Sequence, residues 1–281
     1  MDEPLPTNSN HEPILRIESL VKTYIQAQWW AKRFASKALD GVDLTLDAGK
    51  TLALVGRSGS GKTTLAMCVA MLEKSDSGRI LFEGVDLCVL SKSERALRRP
   101  RIQIIFQDSA AALPARFTAA QIIEEPLLIH NSQSTSKASA RDRAELVAEL
   151  MTKVGLPPNW ANRRPHEFSG GERQRLAIAR SLAVQPSLLI LDEPFVGLDL
   201  SVRGQIVNLL LSLQADRLLT YLYISHDLDL VQRFSDQVAV MERGRIIEQG
   251  SAEDVFSRAM DAQMNPFLAQ LLTCRAMSSR R

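Results

Sequence analysis

The chain has 281 residues, of which 45% are hydrophobic and 23% charged, and its net charge is +2 at neutral pH. That is ample apolar material for a packed core and too little net charge for a basic field that would demand nucleic acid. No apolar run approaches the length of a membrane span, and the acidic, polar start over residues 1–13 reads as a disordered tail rather than a secretory signal. The three cysteines, Cys68, Cys88 and Cys274, have no metal-ligand spacing and suit a reduced cytosolic setting as small apolar residues.

In chain order, Ile14 to Leu20 and Val42 to Leu46 alternate apolar and polar residues, as strands with one buried face do. Between them Ile25 to Lys37 carries Trp29, Trp30 and Phe34 beside three positive charges and no negative one. It reads as a surface hairpin or loop, or as a contact for a partner protein or a nucleotide edge. Thr51 to Val55 is a short apolar strand of the kind buried on both faces, followed by a glycine-rich loop and a helix from Lys62 to about Leu72. Ile102 to Phe106 is a further strand. From Asp108 to about Val184 the texture is helical, with helices expected at Ala119 to Ile129, Ala140 to Val154 and Gly170 to Leu182. The polar stretch Asn131 to Ser139 reads as a surface loop. Strands return at Leu188 to Leu191 and Thr220 to Ile224, a hairpin closes at Val238 to Met241 and Arg245 to Glu248, and helices end the chain near Ala252 to Ala259 and Pro266 to Cys274. This alternation predicts an α/β fold: a mostly parallel sheet covered on both faces, an N-terminal antiparallel β portion, and a helical subdomain inserted over about 108–184.

The run GRSGSGKTT, Gly56 to Thr64, satisfies the P-loop pattern of NTPases through Gly56, Gly61, Lys62 and Thr63. Glycines let the backbone wrap closely round phosphate oxygens, and the loop N–H groups with the following helix N-terminus form a positive cradle. Arg57, Ser58, Gly59, Ser60 and Thr64 complete the candidate nucleotide-binding set. Lys62 is expected to reach the β- and γ-phosphates of ATP, and the Thr63 hydroxyl to ligate Mg²⁺. In LLILDEP, Asp192 closes an apolar strand, the position at which ligands bind in open α/β sheets, and suits Mg²⁺ held through water. Glu193, expected to point the other way if the strand continues, is the candidate for orienting or deprotonating the attacking water.

Together with FSGGERQR, Phe168 to Arg175, and SHD, Ser225 to Asp227, these motifs resemble the ATP-binding subunits of ABC transporters over about Ile14 to Leu272. FSGGERQR resembles the family's signature motif. Its Ser169 and Glu172 also match a capping box, and the resemblance implies that Ser169, Gly170, Gly171 and Glu172 face the ATP of a partner subunit. The common pattern has Leu where Phe168 stands and Gln where Glu172 stands. Gln107, in IIFQD, resembles the Q-loop glutamine, which touches Mg²⁺ or water. His226 resembles the switch histidine that contacts the γ-phosphate, and Tyr24 the aromatic that stacks on adenine. Asp199, in VGLD where the family usually has SALD, resembles the D-loop aspartate of the dimer seam.

Within the family, IIEEPLL, GRIIEQGSAEDVF and NPFLAQLL are similar to the peptide and nickel importer branch, whereas DSAAALPAR departs from it. Some relatives carry an iron–sulfur cysteine cluster in the tail; with Cys274 alone, none is expected here. The resemblance implies an ATPase domain over 14–250 and a helical tail over 251–281. It implies a second ATPase subunit (a paralogue), two transmembrane permease subunits, indirect work with an extracytoplasmic solute-binding protein, and a peripheral place on the cytoplasmic face of the membrane. Nucleic acid is not expected as a partner. Two alternatives share the chemistry: the energy subunit of an exporter or other ABC system, and a soluble ABC-type ATPase acting on nucleic acid or ribosomes.

Overall fold

The computed structural model describes residues 12–26, 34–108, 112–131 and 139–260. The Trp29/Trp30 segment, most of the expected N-terminal tail, the helix expected at Pro266 to Cys274 and most of the Asn131 to Ser139 link lie outside them. In chain order the strands are β1 (Leu15–Gln26), β2 (Phe34–Leu46), β3 (Thr51–Val55), β4 (Ser77–Phe82), β5 (Val85–Asp86), β6 (Ile102–Ile105), β7 (Leu188–Asp192), β8 (Thr220–Ile224), β9 (Gln237–Glu242) and β10 (Arg245–Ser251). The helices are α1 (Lys62–Val69), α2 (Lys92–Arg98), α3 (Ala119–Asn131), α4 (Ala140–Lys153), α5 (Gly170–Leu182), α6 (Leu200–Arg217), α7 (Leu228–Phe234) and α8 (Ala252–Met260). Among the described residues no helix is long and apolar enough to cross a membrane.

The strands make an antiparallel sheet of order β2-β1-β4-β5 and a second sheet of order β10-β9-β3-β8-β7-β6. In the second, β9, β3, β8, β7 and β6 are parallel and β10 pairs antiparallel to β9. The two-residue period of a strand divides its side chains between two cores. Leu52 and Leu54 of β3, Leu188 and Ile190 of β7, and Leu222 and Ile224 of β8 pack with α1 and the antiparallel sheet. Ala53 and Val55, Leu189 and Leu191, and Tyr221 and Tyr223 pack with α3 to α8. Every residue of β3, β7 and β8 is therefore buried. Register then decides where the loops emerge. Leu54 and Asp192 both pair with Ile224, so Gly56, Glu193 and Ser225 leave the sheet at one edge.

Several elements go beyond the expected set. β1 and β2 continue past Leu20 and start before Val42, paired from Leu15↔Leu46 to Gln26↔Phe34 with register shifts near Ser19, whose φ is 45°. β4 and β5 turn at Glu83 and Gly84, both at positive φ, a two-residue hairpin. α2 starts from a Ser91–Glu94 capping box. α6 buries Ile206, Val207, Leu209, Leu210 and Leu213 but also exposes Leu200 and Leu211. With apolar residues spread round its girth, it lacks the stripe that announces a helix in sequence. α1 ends at Val69 rather than Leu72, where Met71 turns to φ 56°.

Candidate active site

The phosphate loop joins β3 to α1 and is shaped by contacts from elsewhere in the chain. A Cβ on Gly56 would lie 2.2 Å from the Met241 carbonyl oxygen, and one on Gly61 would lie 2.3 Å from that of Ala38. Gly61 also sits at φ 110°, which glycine alone adopts without strain. The Ser60 N–H donates to the Arg57 carbonyl at 3.1 Å, and the Gly244 N–H to the Ser60 carbonyl at 2.8 Å. Arg57, Ser58, Gly59 and Thr63 remain exposed, whereas Lys62 is buried. Its Nζ folds back to donate to the carbonyls of Gly56 at 2.8 Å and Arg57 at 2.9 Å. Burial holds the Lys62 ammonium below its usual pKa, although the nearby Glu193 and Asp192 pull it upward. The Ser60 hydroxyl is buried with no hydrogen-bond partner. An orphaned donor in a cradle of backbone N–H groups suits an incoming phosphate oxygen.

Asp192 is buried at the end of β7. Burial pushes its carboxyl above the usual range and Glu193 adds to that, while a hydrogen bond from the Thr63 side chain and the charge of Lys62 act the other way. Glu193 does not continue the strand, so its expected direction is corrected. Its φ is 50°, its N–H donates to the Ile224 carbonyl at 3.0 Å, and the chain turns away. This turn brings Glu193 Oε1 to 3.1 Å from His226 Nδ1. Behind them Tyr223 packs edge-on against Phe195, ring centroids 5.8 Å apart, and against Phe234 at 5.3 Å. Gln107, Glu193 and His226 line one cleft of about 190 Å³, which Arg203, Tyr223 and Asp227 share.

The other candidates sit apart from that cleft. Ser169 caps α5: its Oγ accepts the Glu172 N–H at 3.3 Å, and Glu172 Oε2 accepts the Ser169 N–H at 2.7 Å. Phe168 is buried beneath, edge-on to Trp160 at 5.9 Å. None of Ser169, Gly170, Gly171 and Glu172 lines the Glu193–His226 cleft. Asp199 is exposed at the N-cap of α6, beside the exposed Val196 and Leu200. Tyr24 is 37% exposed on β1, with Lys22 Nζ 5.2 Å from its ring centre. Its backbone pairs with Ser36, two residues before the Ala38 carbonyl that abuts Gly61. Arg203 borders the site without having been singled out from sequence, and Ser225 and Asp227, part of the SHD motif, border it without having been given a role. Only Asp227 had a local signal: it is an N-cap, accepting the N–H groups of Asp229 at 3.2 Å and Leu230 at 3.3 Å.

A glycine cradle on a parallel sheet, with a buried strand-end carboxylate behind it, defines a P-loop nucleotide-binding protein. The ABC transporter family matches residues 39–196, and the chain belongs to that family. The dipeptide transport ATP-binding protein DppF of Haemophilus influenzae is 43% identical over 93% of this chain and 77% of its own length. The oligopeptide transport ATP-binding protein AppF of Bacillus subtilis is 40% identical over 98% of this chain and 82% of its own. Among solved structures, the ATP-binding cassette MJ0796, in a dimeric post-hydrolysis state bound to ADP and Pi, superposes with a TM-score of 0.74. It is 26% identical, covering 85% of this chain and 98% of that one. The chain is an ATP-binding, ATP-hydrolysing subunit of an ABC transporter.

Proposed function

We propose that this subunit drives the uptake of peptides or similar small solutes. Dipeptide and oligopeptide transport proteins are among its relatives at 40–43% identity over most of the chain, which supports that substrate class. In the proposed complex two ATPase subunits, this one and a paralogue, close head to tail around two ATP molecules. Each ATP lies between one subunit's phosphate loop and the other's Ser169–Glu172 helix start. Closure and reopening move two permease subunits, which hold the ATPases at the cytoplasmic face of the membrane and receive solute from an extracytoplasmic binding protein.

The loop N–H groups and Lys62 bind the phosphates, Tyr24 stacks on the adenine, and Asp199 lies in the seam. Thr63 and Asp192 are hard oxygen donors bonded to each other, the type Mg²⁺ takes. Among the described residues there is no cluster of three metal-ligating side chains, which fits an ion held largely by water and phosphate. When bound, Mg²⁺ neutralises charge on the phosphate oxygens. Glu193 orients the attacking water and accepts its proton, His226 holds Glu193 and reaches the γ-phosphate, and Gln107 closes the cleft over the water. Positioning and charge stabilisation carry this chemistry.

The observation that supports the hydrolytic assignment is the 3.1 Å contact between Glu193 and His226 beside the buried Asp192. Glu193→Gln keeps the shape and removes the base. Turnover should fall on the order of 10²–10³-fold with nucleotide binding retained; wild-type turnover rejects the assignment. For the transport role, the complex isolated from membranes should contain permeases and import labelled peptide in the presence of ATP. Purification without permeases counts against it.

A further inference from the structure

Arg203 stands on the first turn of α6, between the two loops that carry Glu193 and His226. Its Nε donates to the Leu198 carbonyl at 2.8 Å. Its Nη1 reaches Asp227 Oδ2 at 3.5 Å. Leu198 belongs to the loop that follows Glu193, and Asp227 is the residue after His226. One side chain therefore spans the ends of β7 and β8.

Without it the two loops are held differently: the Glu193 N–H donates to the Ile224 carbonyl at 3.0 Å at the root of the β7 loop, and the bonds of the turn beyond it are longer. On the β8 side Asp227 is fixed by its own N–H, which donates to Ser225 Oγ at 3.0 Å, and by the cap its Oδ1 makes on α7. On the β7 side the loop's own turn bonds are long: the Val196 N–H reaches the Glu193 carbonyl at 3.4 Å, and the Leu198 N–H the Phe195 carbonyl at 3.3 Å. Glu193 and Gly197 both sit at positive φ. The bond from Arg203 to the Leu198 carbonyl is shorter than either turn bond, and the same guanidinium reaches across to Asp227 at 3.5 Å. A planar guanidinium suits this task, because it offers donors in two fixed directions at once.

We propose that Arg203 is a positioning residue for hydrolysis: by tying the Leu198 carbonyl to Asp227 it keeps Glu193 and His226 in register with each other. This rests on Glu193 and His226 being the hydrolytic pair. Arg203 acts through the two loops. A half-exposed ion pair adds little to stability, so the effect belongs in turnover rather than in folding.

The test places Arg203→Met, Arg203→Lys, Asp227→Asn and Glu193→Gln in this subunit of the complex purified from membranes and compares steady-state ATP hydrolysis, with nucleotide binding and thermal unfolding read on the purified full-length chain. Misplacing a catalytic group by an ångström costs up to about 10²-fold, so Arg203→Met should lower kcat by roughly tenfold with KM for ATP changed less than about twofold. Its Tm should move by no more than about 2 °C. Arg203→Lys should recover part of the loss, since an ammonium meets one partner but not both. Asp227→Asn keeps an N-cap and should not add to Arg203→Met in the double variant, because the two act through one contact. Wild-type kcat in Arg203→Met beside an inactive Glu193→Gln overturns the positioning role alone. So does a kcat loss that tracks the loss of Tm, or full additivity with Asp227→Asn. Full turnover in Glu193→Gln overturns the hydrolytic assignment, and the role of Arg203 with it.

Discussion

At the phosphate loop a methyl group on Gly56 or Gly61 would strike a backbone oxygen at 2.2 or 2.3 Å, whereas at the start of α5 a methyl group on Gly170 would meet only Leu198 at 3.6 Å. Both places are glycine-bearing helix N-termini. The first is pressed into shape by β2 and β9, and its Ser60 hydroxyl is buried with no hydrogen-bond partner. The second finishes itself with a capping box, and Gly170 in its first turn has room for a side chain. The contrast fits the proposed half-sites shared between subunits, one moulded by its own chain and the other facing a neighbour. Gly171 stands between these cases, because a methyl group there would lie 2.5 Å from Val202 Cγ1, a side chain of α6.

The largest expected effect tests the moulded half. Gly61→Ala combines a clash with the Ala38 carbonyl and a φ of 110°, and should cost on the order of 3 kcal/mol or more in urea unfolding. An unchanged midpoint would mean that the loop can move away from β2. Ser169→Ala comes next. It removes one side of the capping box and should destabilise by about 1 kcal/mol, read in the same unfolding experiment. Retained stability would mean that α5 is held by packing through Phe168 rather than by its cap. The smallest effect sharpens the open half. Gly170→Ala makes only an ordinary contact and gains helix propensity, so its stability should stay within about 0.5 kcal/mol of wild type. Nucleotide binding to the lone subunit should be unchanged while hydrolysis by the assembled pair falls. Loss of binding by the lone subunit would contradict an open half-site.

Local motifs were legible in the sequence because each has local physics. The patterns of the Gly56–Thr64 loop, the Ser169–Glu172 cap and the apolar strands Thr51–Val55 and Thr220–Ile224 are all written in residues near one another in the chain. Other elements lack such a local pattern or carry only a short one. α6 has apolar residues on most sides, so no stripe marks it. The β4–β5 hairpin and α2 did carry signals, a Glu83–Gly84 turn and a Ser91–Glu94 box, but these are short and easily passed over. Arg203 offers no signal at all, since its partners Leu198 and Asp227 meet only in the fold.

By itself the sequence determined that the chain binds a nucleoside triphosphate on a parallel sheet, because glycine, lysine and threonine at fixed spacing have the same backbone consequence wherever they occur. It also determined which carboxylates were available for chemistry. Tertiary structure alone decided how they face. The shared register of β3, β7 and β8 gathers three loops at one edge, the positive φ of Glu193 turns it onto His226, and backbone oxygens from β2 and β9 set the width of the loop. These are contacts between residues far apart in the chain, so no local preference encodes them; they appear only when both cores close on the sheet.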